Sequence, residues 1–133
     1  VLVIDASVLA VALLDDGQDG DTVRDRLRGE QLAAPALIDL EVASVWRGLA
    51  RGGHLDPRRV RLALDDLQEL PLQRVEHTSL LWRCWELRDN LTIYDAAYVA
   101  LAEALRAPLL TGDRRLARST GPRCTIEVMK THR

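Results

Sequence analysis

Four carboxylates in this sequence sit where a chain either avoids charge or puts it to use. Asp5 ends the apolar run "VLVI", Glu41 lies early in "ALIDLEVASVWRGLARG", Asp95 comes three residues after Thr92, and Asp113 follows "PLLTG". Burying an unpaired charge is costly. Two unit charges 4 Å apart repel by about 4 kcal/mol at an effective dielectric near 20. Four such groups brought together, with Lys130 the only lysine in the chain, call for protons or a cation. Hard divalent ions prefer this all-oxygen setting, and Mg²⁺ takes one or two carboxylates and keeps several waters. Mg²⁺ beside an open edge, with Mn²⁺ as the alternative, implies phosphoryl-transfer or phosphodiester chemistry with a metal-activated water as nucleophile.

The elements that would bring them together follow from the pattern of short apolar runs alternating with amphipathic ones, which predicts an α/β fold with a parallel sheet. Strands are expected at "VLVI", "QLAAP", "LQRV", "PLLTGD" and, more weakly, "TIEVM". Helices are expected from Val8, over "DGDTVRDRLRGE", over 36–52 where "GG" stops it, and over 57–70 with Asp56 as N-cap and Pro57 at the first position. Further helices cover "SLLWRCWELRDN", "TIYDAAYVALAEALR" capped by Thr92, and "RRLARS". Parallel strands joined by right-handed crossovers point their C-terminal ends to one sheet edge, where ligands bind. Asp5 and Asp113 fall at that edge as strand-end residues. Asp95 falls there because its helix must start at the edge to lead back into "PLLT". Glu41 flanks the expected apolar stripe of Ile38, Val42, Val45 and Leu49 at the start of its helix. Each residue also has a local explanation. Asp5 with Ser7, and Asp113, could cap the helices that follow; Asp95 could close a capping box with Thr92; Glu41 could answer the helix dipole.

At 133 residues the chain is expected to form a single domain, spanning 1–133. Its 47% hydrophobic and 29% charged residues match a soluble globular protein, and no apolar run is long enough to span a membrane. The opening residues read as a strand, so no signal peptide is expected. Cys84 and Cys124 are too few for a disulfide framework or zinc site, which makes a reducing cytoplasm the simplest compartment. A net charge of −2 argues against a protein that coats nucleic acid electrostatically, yet leaves room for a nucleic-acid enzyme with a local arginine patch.

The ordered set "VIDAS", "DLEVA", "YDAAYVALA" and "LLTGDRRL" resembles the PIN domain, and more narrowly the VapC toxin ribonucleases of VapBC toxin–antitoxin pairs. The resemblance runs over nearly the whole chain, and its most specific part is "IYDAAYVALA" followed by "LLTGDRRL". It implies a three-layer α/β/α fold with a central, mainly parallel sheet. It also implies an acidic set of Asp5, Glu41, Asp95 and Asp113 supported by Ser7 and Thr111, with no departure at these positions. On this basis Asp5, Asp95 and Asp113 are the expected metal residues, Asp5 and Asp113 contacting the ion most directly while Asp95 and Glu41 hold it through water or a second ion. The expected activity is Mg²⁺-dependent endoribonuclease. The expected partners are RNA, a VapB-type antitoxin and a second copy of the chain, with no membrane.

RNA contacts are expected at Arg114 and Arg115 beside Asp113, while "RRVR" (Arg58, Arg59, Arg61) reads better as a solvated helix face. Trp46, Trp82 and Trp85 are expected in the core or an interface rather than stacked on bases, and Cys84 is expected to be buried. His54, His77 and His132 have no useful spacing and read as surface residues. Rival readings are a non-catalytic PIN-like interaction domain and a metal-dependent DNA nuclease; the complete acidic set disfavours the first and the compact length the second. An aspartyl phosphatase or receiver domain lacks its second acid and its lysine here.

Overall fold

The computed structural model of the chain describes residues 1–130. Strands and helices alternate: β1 (Leu2–Ile4), α1 (Ala6–Leu14), α2 (Gln18–Leu27), β2 (Leu32–Pro35), α3 (Ile38–Arg51), α4 (Pro57–Glu69) and β3 (Gln73–Val75). A 3₁₀ turn (Thr78–Leu80) then leads into α5 (Leu81–Glu86), α6 (Ile93–Leu105), β4 (Leu109–Thr111), α7 (Arg114–Arg118) and β5 (Ile126–Val128). The strands form one sheet in the order β3-β2-β1-β4-β5, and every neighbouring pair is parallel. The sheet expected to be mainly parallel is parallel throughout the described residues.

Chain order explains the layers. Right-handed crossovers from β1 through β2 to β3 stack their helices on one face, and the return from β3 to β4 reverses direction and uses the other. Accordingly α1 packs on α2, α3 and α4, whereas α6 packs on α5 and lies across β1, β2 and β4. The result is the three-layer α/β/α arrangement. The strands between these layers are covered on both sides, which is why "LVI" and "LLT" are buried at every position. Helix α1, "ASVLAVALL", is apolar apart from Ser7 because it is wedged among three helices and β4. In α6 every residue from Ala96 to Ala102 is buried, and its alanines let the helix lie close to the sheet. Each fully buried Val, Leu or Ile in this core contributes about 1.5–3 kcal/mol of transfer free energy.

Three expectations need correction. Helix α1 begins at Ala6 rather than Val8, because the Asp5 side chain caps it two residues earlier by accepting the Val8 N–H. The helix expected over 79–90 is a 3₁₀ turn followed by the six residues of α5. After Glu86 the backbone tightens, with the Leu87 N–H donating to both Arg83 and Cys84 carbonyls at 3.2 Å, and this turn seats Leu87 and Leu91 in the core. In α3 the buried face is Ile38, Val42 and Trp46, while Val45 is exposed and Leu49 half-buried. Trp46 displaces Val45 because its indole N–H donates to the Ala10 carbonyl at 3.2 Å, tying α3 to α1. Among the described residues no helix is long and apolar enough to cross a membrane.

Candidate active site

Sheet register brings the first two site residues together. In the β1–β4 pair Val3 lies opposite Leu109 and Ile4 opposite Leu110, so the residue after β1 meets the last residue of β4. Those residues are Asp5, 8% exposed, and Thr111, fully buried, and the Thr111 hydroxyl donates to Asp5 Oδ2. The other carboxylate oxygen, Oδ1, accepts from the Ser7 hydroxyl at 2.6 Å and from the Val8 N–H at 3.2 Å. Asp5 is thus a helix cap and a buried carboxylate at once. Its position is where the strand order leaves β1 and β4 in opposite directions, the switch point at which open α/β sheets bind ligands.

The loop after β4 extends this network. The Gly112 N–H donates to Ser7 Oγ at 3.0 Å, and the Asp113 N–H donates to Thr111 Oγ1 at 3.0 Å. A Cβ at Gly112 would stand 3.1 Å from Ser7 Oγ, so the glycine permits this close approach. Half-buried Asp113 caps α7 by accepting the Arg115 N–H at 2.9 Å. The Arg115 guanidinium stands 3.5 Å from the same oxygen while its side chain is 92% exposed. No lysine faces the carboxylates, but this arginine does.

Helices supply the remaining acids. Asp95 occupies the first turn of α6, where its N–H donates to Thr92 Oγ1 at 3.1 Å. Glu41 occupies the first turn of α3, and its Oε1 accepts from the Tyr98 hydroxyl at 2.6 Å. The four acids, drawn from β1, α3, α6 and the β4–α7 loop, lie in one another's electrostatic field. Burial pushes the Asp5 carboxyl above its ordinary value, the Ser7, Thr111 and Val8 donors pull it back, and the Asp95 charge raises it further. Burial also raises Glu41; the Tyr98 bond opposes this, while the Asp95 and Asp5 charges add to it. Asp95 is raised by burial, lowered by Thr92, raised by the charge of Asp113 and lowered by Arg115. Burial, and then the bond to Glu41, hold the Tyr98 phenol far above its ordinary value. Among the described residues, no three Asp, Glu, His or Cys side chains stand close enough to enclose a metal ion by themselves.

The structure brings together Asp5, Ser7, Glu41, Asp95, Thr111 and Asp113, with Arg115 at the rim and exposed Arg114 next to it. Arg58 and Arg61 are exposed and Arg59 pairs with Asp16 at 2.9 Å, as a solvated helix face does. Trp46 is in the core, but Trp82 and Trp85 are exposed, which removes the core reading for these two. Cys84 is buried, His54 and His77 are exposed, and His132 lies outside the described residues. Tyr98 was not among the sequence-derived site residues. Its signal was present in "YDAAYVALA", where it falls three residues after Asp95 and so on the same helix face.

The PIN domain family model matches residues 2–121. "VapC ribonuclease Mb0985" of Mycobacterium bovis is 42% identical over 129 residues, covering 97% of this chain and 98% of that protein. The chain belongs to the VapC ribonucleases of the PIN-domain family. Two solved structures share the fold of this VapC-family chain at low identity. One is VapBC2 from Rickettsia felis bound to a DNA fragment from its promoter, with a TM-score of 0.66 and 14% identity, covering 96% of this chain and 97% of the other. The other is the sarcin-ricin loop cleaving toxin VapC20 of Mycobacterium tuberculosis, with a TM-score of 0.65 and 16% identity, covering 89% of this chain and 94% of the other.

Proposed function

We propose that this VapC-family ribonuclease is the toxin of a toxin–antitoxin pair, a Mg²⁺-dependent endoribonuclease that hydrolyses RNA phosphodiester bonds at the four-carboxylate site. The observation that carries this reading is the convergence of Asp5, Glu41, Asp95 and Asp113 on the switch point, where the Asp5, Glu41 and Asp95 carboxyls are raised first by burial and further by neighbouring carboxylate charge. The donor set is all oxygen. An ion that takes one or two carboxylates and fills its shell with water needs no three-ligand cage.

Asp5 and Asp113 would contact the ion, Mg²⁺ or Mn²⁺, most directly, with Asp95 and Glu41 reaching it through water or a second ion. When bound, such an ion polarises the phosphate, stabilises developing charge and lowers the pKa of a coordinated water. Thr111 and Ser7 each hold one oxygen of Asp5, so the carboxylate is fixed before any ligand arrives. The same two hydroxyls accept the Asp113 and Gly112 N–H groups and so set the loop that carries Asp113. Arg114 and Arg115, exposed beside Asp113, are suited to RNA phosphates, and Arg115 is already turned to the acidic rim.

The Rickettsia felis VapBC2 assembly supports a VapB-type antitoxin as protein partner. We extend the reading to a cytoplasmic protein that pairs with a second copy of itself, for which the exposed apolar residues Leu81, Trp82, Trp85 and Ile93 offer a surface.

The test is cleavage of matched RNA and DNA oligonucleotides with Mg²⁺, alongside mapping of new RNA 5′ ends after brief expression. Asp5→Asn and Asp95→Asn are expected to abolish RNA cleavage while the far-UV spectrum stays native. Wild-type rates in either variant, or cutting of DNA in place of RNA, would overturn the assignment.

A further inference from the structure

We propose that Tyr98 is a positioning residue for the nuclease reaction, its hydroxyl holding Glu41 at the acidic site against the repulsion of Asp95 and Asp5. The proposal rests on the reading of Glu41 as part of that site, and the experiment below separates the two.

Packing alone does not explain the hydroxyl. Tyr98 is 2% exposed, and a phenylalanine ring would fill the same space without burying a polar atom. A buried hydroxyl is unfavourable unless it is bonded. The bond it makes is not to a neighbouring carbonyl of its own helix but to Glu41 Oε1, on α3, at 2.6 Å. The bond therefore crosses from α6 to α3, between elements far apart in sequence.

Glu41 needs such a partner. Its side chain has several rotatable bonds and is only half-buried. The charges of Asp95 and Asp5 act on it and favour its departure. One face of α6 supplies both the problem and its remedy: Asp95 repels Glu41, and Tyr98, three residues on, anchors it. Because the phenol engages Oε1 only, Oε2 is left for water or an ion. Asp5 is pinned by two hydroxyls and Glu41 by one, so both acids are held by neutral donors. Neutral donors fix a carboxylate without cancelling the charge that a cation would need.

The experiment compares wild type, Tyr98→Phe, Tyr98→Met, Glu41→Gln and Tyr98→Phe/Glu41→Gln. Each is assayed for RNA cleavage with Mg²⁺, for Mn²⁺ binding in the absence of RNA, and for melting temperature. Tyr98→Phe is expected to lower kcat by about 10- to 100-fold, the usual effect of removing a hydrogen-bond partner of an active-site ligand. KM for RNA should stay within about twofold, since Tyr98 does not touch substrate, and the Mn²⁺ titration should shift to weaker binding by a similar factor. In the Glu41→Gln background Tyr98→Phe should cost nothing further. Tyr98→Met, which removes the ring as well as the hydroxyl, should match Tyr98→Phe in rate whatever its melting temperature. The proposal is overturned if Tyr98→Phe cleaves and binds Mn²⁺ as wild type does, if the two substitutions multiply in the double variant, or if losses follow melting temperature alone. A dead Asp95→Asn enzyme beside a fully active Tyr98→Phe enzyme would remove this proposal and leave the nuclease reading standing.

Discussion

Thr111→Val is the sharpest probe of how the site is built, because it removes one oxygen and leaves the volume almost unchanged. Thr111 is fully buried at the end of β4, and its hydroxyl both donates to Asp5 and accepts the Asp113 N–H at 3.0 Å. Losing a hydrogen bond to a charged group costs about 1.5–3 kcal/mol. The Asp113 N–H loses its acceptor too, but Asp113 is half-buried and water can serve it, adding about 0.5–1 kcal/mol. The total, about 3 kcal/mol, corresponds to a fall in melting temperature of about 10 °C for a chain of this length. Cleavage should fall by about 10- to 100-fold, since both Asp5 and the loop bearing Asp113 lose their fixed positions. The Thr111 bond also lowers the Asp5 carboxyl, so without it the folded-state value rises further and the acid limb of the pH–rate profile should move to higher pH. Thr111→Ser keeps the hydroxyl and should retain most activity. Differential scanning calorimetry and oligonucleotide cleavage across pH read all three effects. A Thr111→Val protein with wild-type stability, rate and pH profile would refute the role given to this hydroxyl.

Two further perturbations address charge and core. Without divalent ion, Asp95→Asn should be more stable than wild type at neutral pH, because a folded-state value raised above the unfolded one means the charged form weakens the fold. That gain should vanish as pH falls below the ordinary carboxylate range, and Mg²⁺ should stabilise wild type more than the variant; urea unfolding with and without EDTA checks both signs. Trp46→Ala, which empties a 1%-exposed position and removes the bond to the Ala10 carbonyl, should cost about 3–5 kcal/mol. It should also remove the one buried indole, leaving fluorescence from exposed Trp82 and Trp85 that barely shifts on unfolding.

Much of the fold is legible in the sequence because its signals are local. "VLVI" and "PLLT" read as doubly covered strands, and their helices bury the faces that their periodicity marks, apart from the rotation of α3 about Trp46. The caps at Asp56 and Thr92 lie where residue type places them, and both fix helix starts. The shortness of α5 was not legible, because "SLLWRCWELRDN" has helical spacing throughout and only the need to seat Leu87 and Leu91 ends the helix early. Nor was the fate of the tryptophans: a large apolar residue has the same local signal whether a core or an open surface receives it.

Ser7 and Thr111 enter as supports only through the PIN resemblance, whereas the four carboxylates at strand ends and first turns, and the direction in which parallel strands must present them, are written in the chain. Those follow from chain direction and the handedness of crossovers, which are the same in every such sheet. The pairings come from packing. That Thr111 reaches Asp5 depends on the β1–β4 register, which a slip of one residue would destroy. That Tyr98 reaches Glu41 depends on packing that brings the N-terminal parts of α6 and α3, from opposite faces of the sheet, within hydrogen-bond reach at its edge. Spacing along a chain fixes which residues share an edge, but hydrogen bonds form over less than 3.5 Å, and only packing resolves distances that small.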